Sequence, residues 1–144
     1  MPITINGSGT VTGISTGGLP DGCIATDDLA NNAVTTAKLG SGEASGLCKA
    51  WVNFNGTGTV AIRASYNVSS ITDNGVGDYT VNFTTAMADA NYAAPLSIAP
   101  EIAGTTPRSV TIVSQTTGSI RLLTGNTASV LALDLPTITA AIFR

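Results

Sequence analysis

Residues 59–83, TVAIRASYNVSSITDNGVGDYTVNF, decide the fold. An apolar side chain recurs at every second position through the first part of this stretch, at Val60, Ile62, Ala64, Tyr66 and Val68. A period of two predicts a strand over 59–68 with one buried face. The segment DNGVGD at 73–78 holds the Gly, Asn and Asp that tight turns favour. Because the alternation then resumes through 79–83, the stretch predicts two strands joined by a turn.

The same alternation continues on both sides of this stretch. Residues 51–55 place Val52 and Phe54 on one face and Trp51 on the other, and NGTG at 55–58 predicts a turn. After a loop at 84–95, five more segments have strand character: SIAPEIAG, SVTIVSQ, SIRLLTG, SVLALDL and TITAAIF. Seven or eight strands in about 100 residues are typical of an antiparallel β-sandwich or small jelly roll. The predicted core includes Val52, Phe54, Ile62, Tyr66, Tyr79, Val81 and Phe83.

The first 46 residues differ in composition from the rest. GSGEASG at 40–46 predicts a hinge between this leader, residues 1–46, and an all-β domain over 47–144. Four apolar residues follow one another in the leader at a five-residue interval: Ile24, Leu29, Val34 and Leu39. This spacing fits neither a helix nor a strand, although a short helix capped by Thr26 or Asn32 is compatible with the local sequence. The leader has too few large side chains to fold alone, so we predict an extended segment that packs against partners.

The composition excludes several classes of function. The net charge is -3 and only 10% of residues are charged, so no basic patch is expected for nucleic acid. Histidine is absent, which removes the commonest general base and the imidazole zinc sites. Cys23 and Cys48 form no CxxC pair, and small buried thiols are favoured over a disulfide. No apolar run is long enough to span a bilayer, and the N-terminus lacks signal-peptide character, so neither membrane insertion nor export by that route is expected.

Acidic and aromatic residues offer the remaining candidate sites. Asp73 and Asp78 flank a turn and could hold Ca²⁺, but turn-forming acids are common there. Asp134 lies in an apolar segment, where pairing with Arg63, Arg108 or Arg121 is the favoured interpretation over an activated acid. Trp51 and Tyr66 could stack on a sugar ring, but a core or subunit-interface role is favoured for both. We therefore predict no catalytic residue, no cofactor and no metal, and assign no residue to receptor binding.

Two stretches of the chain resemble bacteriophage fibre proteins. ITINGSGTVTGISTGGLPDG and IATDDLANNAVTTAKLG look like the N-terminal segments of these proteins. KAWVNFNGTGTVAIRASYNVSSITDNGVGDYTVNFTTAMADANY resembles the C-terminal domains of tail-fibre-like proteins, especially from phages of marine and freshwater bacteria. The resemblance covers roughly residues 3–92. No shaft repeats separate the leader from the β-domain, so the expectation is a short tail fibre or spike, or a head fibre.

The resemblance implies a homotrimer in the virion, assembled in the host cytoplasm. Its N-terminal segment would attach to another virion protein, whether tail, adaptor or capsid, and its sandwich would face the host. Three leaders side by side could bury Ile24, Leu29, Val34 and Leu39, which one copy cannot. A surface rich in Thr, Ser and Asn suits weak, multivalent contacts with host polysaccharide. A capsid-decoration fibre with no receptor role is the alternative, and a capsule-degrading enzyme ranks third because paired acids in a groove are not evident.

Overall fold

The computed structural model describes residues 27, 29–40, 46–99, 107–126 and 131–144. The chain divides into two units, Met1–Leu39 and Gly40–Arg144, and each is described by itself. Ile24, Thr26 and Cys23 lie outside the described residues, so the predictions made for them stay predictions.

The second unit is built from strands. In the part of the chain that the structure describes, these are β1 (Cys48–Asn55), β2 (Ala61–Tyr66), β3 (Val68–Gly75), β4 (Asp78–Phe83), β5 (Leu96–Ala99), β6 (Arg108–Gln115), β7 (Ser119–Asn126), β8 (Leu131–Ala132) and β9 (Thr137–Phe143). Sheet A has the strand order β2-β1-β9-β5, and sheet B has the order β3-β4-β7-β6, with β8 paired to β7. All of these strand pairs are antiparallel. The two sheets pack face to face, which confirms the predicted all-β antiparallel sandwich.

The core lies between the central strands of the two sheets. Strand β4 shows the pattern most clearly, because its residues alternate between half-buried and buried along its whole length. The largest fully buried side chains are Tyr79, Phe54, Ile120, Leu122, Ile138, Ile142, Val52 and Val81. The rings of Phe54 and Tyr79 meet edge to face across the sandwich, with centroids 5.3 Å apart. Five predicted core residues are thus confirmed: Val52, Phe54, Tyr79, Val81 and Phe83.

The other two predicted core residues are not buried. Ile62 is 36% exposed and Tyr66 is 58% exposed, and every residue of β2 is exposed. Ile62 is exposed because β2 is an edge strand of sheet A. Tyr66 is exposed because of a register shift between β1 and β2, where Asn53 pairs with Ala64 but its neighbour Phe54 pairs with Ile62. Arg63 is the extra residue of this β-bulge, and one extra residue moves the following side chains to the opposite face. Ile62 therefore lies opposite a core residue, whereas Tyr66 lies opposite Trp51 on the outer face.

The connections differ from the predicted ones in detail. The predicted turn at 73–78 is tighter than expected, because β3 continues to Gly75 and β4 begins at Asp78. Gly77 has a φ of 69°, and a Cβ there would lie 2.5 Å from the carbonyl oxygen of Thr124, so the turn requires glycine. Of the predicted strand SVLALDL, only Leu131–Ala132 is a strand among the described residues.

The described part of the first unit contains one regular element within 29–40, a single turn of 3-10 helix at Thr36–Lys38. Asn32 has a φ of 65° and does not begin a longer helix there. The side chains of Leu29 and Val34 are 49% and 57% exposed, and Leu39 is half-buried. Of the apolar residues spaced by five, the two most exposed in the described range 29–40 are therefore Leu29 and Val34.

Candidate functional site

An aromatic pair lies on the outer face of sheet A. Strand alternation turns Ala50, Val52 and Phe54 inward, so Trp51 between them faces outward. The bulge at Arg63 brings Tyr66 directly opposite Trp51 on this same face. Trp51 is 39% exposed, which is unusual for the largest apolar side chain of a small sandwich. The two rings form an exposed apolar surface on a sheet whose other face is in the core.

A groove of about 450 Å³ runs beside Trp51, and we call it the Trp51 groove. Its side-chain lining comes from three neighbouring strands and the residue before β5, and comprises Trp51, Asn53, Pro95, Ser97, Thr139 and Ala141. The backbone holds the groove in shape, since the amide of Ala141 donates to the carbonyl oxygen of Pro95 at 3.1 Å. The Thr139 hydroxyl also donates to the carbonyl oxygen of Ser97 at 3.3 Å. The groove thus combines one aromatic wall with a floor of small and polar side chains.

The guanidinium of Arg63 contacts one residue of the groove lining, Asn53. Its Nη1 donates to Oδ1 of Asn53 at 3.4 Å and to Oγ1 of Thr137 at 3.2 Å, and it also reaches the carbonyl oxygen of Phe54. All of these acceptors are neutral. Among the described residues Arg63 makes no ion pair, whereas Arg121 pairs with Asp78 at 2.5 Å. The positive charge of Arg63 is therefore not neutralised within the described chain.

The strands of sheet A carry no acidic residue. Their charged members are Lys49 and Arg63, in a chain whose net charge is -3. The strands of sheet B, by contrast, contain two aspartates and two arginines. The charged residues on the strands of sheet A are thus all basic, whereas the acidic and basic residues on the strands of sheet B balance each other.

On the outer face of sheet B, polar side chains hydrogen-bond to one another. The amide Nδ2 of Asn82 donates to the hydroxyls of Ser70 and Thr72, at 3.1 and 2.9 Å. Arg121 binds both carboxylate oxygens of Asp78, and this contact lowers the pKa of Asp78. A second groove on this sheet, of about 290 Å³, is lined by no aromatic or charged side chain. This face offers less to a ligand than the Trp51 groove does.

Asp134 does not pair with an arginine, and that prediction is wrong. Its Oδ1 accepts the backbone N–H of Gly77 at 2.7 Å and the hydroxyl of Tyr79 at 2.6 Å. The same hydroxyl lies 2.9 Å from the carbonyl oxygen of Gly56. Burial of Tyr79, with the adjacent Asp134, raises the pKa of Tyr79 well above its usual range. The carboxylate serves to join the β3–β4 turn, a core tyrosine and the segment before β9.

The other sequence candidates are dispersed. In the described ranges no three Cys, Asp or Glu side chains come together as a metal site, and Asp73 accepts the backbone N–H of Gly75 instead. Cys48 is a free thiol whose Sγ lies 3.1 Å from the carbonyl oxygen of Ala50. No helix in the described part of the chain is long and apolar enough to cross a membrane.

No protein-family model, curated protein or solved structure matches the chain. The sequence alternation puts Trp51 on the face opposite Val52 and Phe54, but it predicts Tyr66 in the core. It therefore missed the aromatic pair. The signal that could have revealed the pair is the Arg63 bulge, which is visible only once β1 and β2 are aligned.

Proposed function

We propose that the chain is a trimeric structural fibre or spike of a bacteriophage virion. Its N-terminal segment attaches to another virion protein, and its β-sandwich faces outward to contact the host surface. The chain acts by binding and has no catalytic step.

The observation that carries the proposal is the exposure of Leu29 and Val34, two of the four apolar residues that recur at a five-residue interval in the leader; we call these four residues the ladder. Leu29 and Val34 are about half exposed, and Leu39 is only half-buried. Exposed apolar side chains at a regular interval are expected to be covered by a partner, because each uncovered side chain forgoes roughly 1.5–3 kcal/mol of burial. Three copies of the leader offer such cover to one another.

The sandwich supports the adhesive half of the proposal. Sheet A presents an exposed aromatic pair and a groove lined by amide and hydroxyl groups, which is the composition of a recognition surface. Weak binding at one such surface becomes firm attachment when three copies engage a repetitive polymer together. The rival function, a capsid-decoration fibre without a receptor role, gives no reason for this face to keep its aromatic residues exposed.

Immunogold labelling tests the proposal. Antibodies raised against the sandwich are applied to particles from cultures lysed by the virus that carries the gene, and the particles are imaged by electron microscopy. We expect label at discrete projections of the particle, and free protein that adheres to host cells. Particles without label contradict the virion role, whereas labelled capsids combined with no cell binding favour the decoration fibre.

A further inference from the structure

We propose that the Trp51 groove binds an acidic saccharide, that is, a pyranose ring that carries a carboxylate. This inference rests on the proposed adhesive function and names the ligand class at its surface. Three features carry it: an aromatic wall, hydrogen-bonding groups on the floor that no described residue occupies, and an adjacent cation with no acidic partner among the described residues.

The aromatic wall suits the apolar face of a sugar ring. Trp51 and the neighbouring Tyr66 are exposed side by side on the outer face of sheet A. The C–H groups on one face of a pyranose stack on such rings, because each ring presents a flat apolar surface with a negative centre. The groove volume of about 450 Å³ lies within the range found for small-molecule sites.

The floor offers polar groups that the described part of the chain leaves without a hydrogen bond. Nδ2 of Asn53 and the hydroxyl of Ser97 make no hydrogen bond to any described residue. Thr139 lies between them on the central strand β9, since it pairs with Asn53 on one side and Ser97 on the other. These groups form a row across three strands, at the spacing of neighbouring strands, and sugar hydroxyls can both donate to and accept from them.

The charge at the groove selects an anion. Arg63 donates to Asn53 of the groove lining, its acceptors among the described residues are all neutral, and no acidic residue lies on the strands of sheet A. A carboxylate in the groove would form a charge-assisted hydrogen bond with the guanidinium, which is stronger than a bond between neutral groups. Charge complementarity therefore favours a uronic acid over a neutral hexose.

The chain contains a single tryptophan, so its fluorescence reports directly on the groove. The full-length protein is titrated with oligogalacturonate, oligoglucuronate and oligomannuronate, and with neutral oligogalactan as the comparison. We expect at least one acidic oligosaccharide to change the Trp51 emission saturably, and to bind about tenfold more tightly than the neutral one. Added salt should weaken the acidic ligand more than the neutral one.

Variants assign the effect to residues when binding is followed by calorimetry. Trp51→Ala and Arg63→Gln should each weaken the acidic oligosaccharide on the order of tenfold. Arg63→Gln should leave the neutral ligand unchanged, because glutamine keeps a donor and removes only the charge. Arg108→Gln, which removes a cation from sheet B, is the matched control and should change nothing. Circular dichroism checks that every variant is folded, and Trp51→Phe should recover part of the loss.

Four results would overturn the inference, and three of them concern binding: no acidic oligosaccharide binds, acidic and neutral ligands bind equally, or Arg63→Gln behaves like Arg108→Gln. A fourth is that Trp51 in the assembled protein is shielded from acrylamide, because a second copy then covers this face. The trimer mass and the particle labelling are measured separately. If both hold while saccharide binding fails, the inference fails and the proposed function stands.

Discussion

At the scale of single residues, the Tyr79 hydroxyl joins three separate parts of the sandwich. It lies 2.9 Å from the Gly56 carbonyl oxygen and 2.6 Å from Oδ1 of Asp134, and the side chain is fully buried. Gly56 is needed for this contact, because a Cβ there would lie 2.6 Å from the hydroxyl oxygen. A buried hydrogen bond contributes most to stability where water cannot reach its partners and take the place of the lost group.

Tyr79→Phe should lower the free energy of unfolding by about 1–3 kcal/mol, because the Asp134 carboxylate loses the hydroxyl that donates to it. Tyr66→Phe is the matched control, since the Tyr66 hydroxyl has no partner among the described residues and the side chain is exposed. That variant should change stability by less than about 0.5 kcal/mol. Urea denaturation measures both, and equal losses in the two variants would show that the Tyr79 hydroxyl makes no net contribution.

Alkaline pH should weaken the fold through the same residue. Burial, reinforced by Asp134, raises the pKa of Tyr79 in the folded chain, and burial also raises the pKa of Tyr92. A raised folded pKa means that the stabilisation is fully present below the unfolded tyrosine value of about 10, and is lost as the pH rises beyond it. Thermal melts across this range should show the melting temperature falling above about pH 10. The fall should be shallower in Tyr79→Phe than in Tyr66→Phe, and identical slopes would contradict this assignment.

At the scale of strands, β4 allows a test of which of its residues point into the core and which point outward. Phe83 is buried and meets the ring of Tyr92 edge to face, with centroids 5.9 Å apart. Phe83→Ala should therefore destabilise the domain by about 3–5 kcal/mol. The side chain of Asn82, the adjacent residue, donates to hydroxyls of the neighbouring strand β3 on the outer face. Asn82→Ala should therefore lower the free energy of unfolding by less than about 1 kcal/mol. Denaturant unfolding compares the two, and a larger loss for Asn82→Ala would mean that the facing is reversed.

Much of the strand pattern could be predicted from the sequence. Strands β1 and β4 alternate strictly because each has one face in the core and one outside, so their inward residues are all apolar. Strand β2 could not be predicted in the same way. It lies at the edge of sheet A, and the bulge at Arg63 reverses its facing halfway along, although the apolar period of two continues through it.

The candidate site depends on that reversal and was therefore hidden from the sequence. A period of two places Tyr66 with Ile62 on one face, whereas the register places Tyr66 beside Trp51 on the other. The contact of Arg63 with Thr137 spans 74 positions of the chain, and no local pattern encodes a contact of that separation. The partners of Asp134 could not be predicted for a related reason. A tyrosine hydroxyl and a backbone amide are uncharged, so no opposite charge in the sequence indicates them.

At the scale of the whole molecule, the leader is expected to drive assembly. Leu29→Asp combined with Val34→Asp should weaken association, because burying a carboxylate in an apolar contact is strongly unfavourable. The sandwich should remain folded, since its core lies within residues 50–142. Sedimentation velocity reports assembly, and circular dichroism reports the fold. Asn31→Asp combined with Thr35→Asp, which adds the same charge at two exposed positions outside the ladder, is the control and should leave assembly intact.

The trimer itself is the central claim, and sedimentation equilibrium of the full chain at micromolar concentration tests it most directly. We predict a single species with three times the 14.4 kDa mass of the chain, unchanged on dilution through the micromolar range. Such a mass is expected if the exposed apolar side chains of the leader are covered by copies of the same chain. A stable monomer at these concentrations would contradict the account.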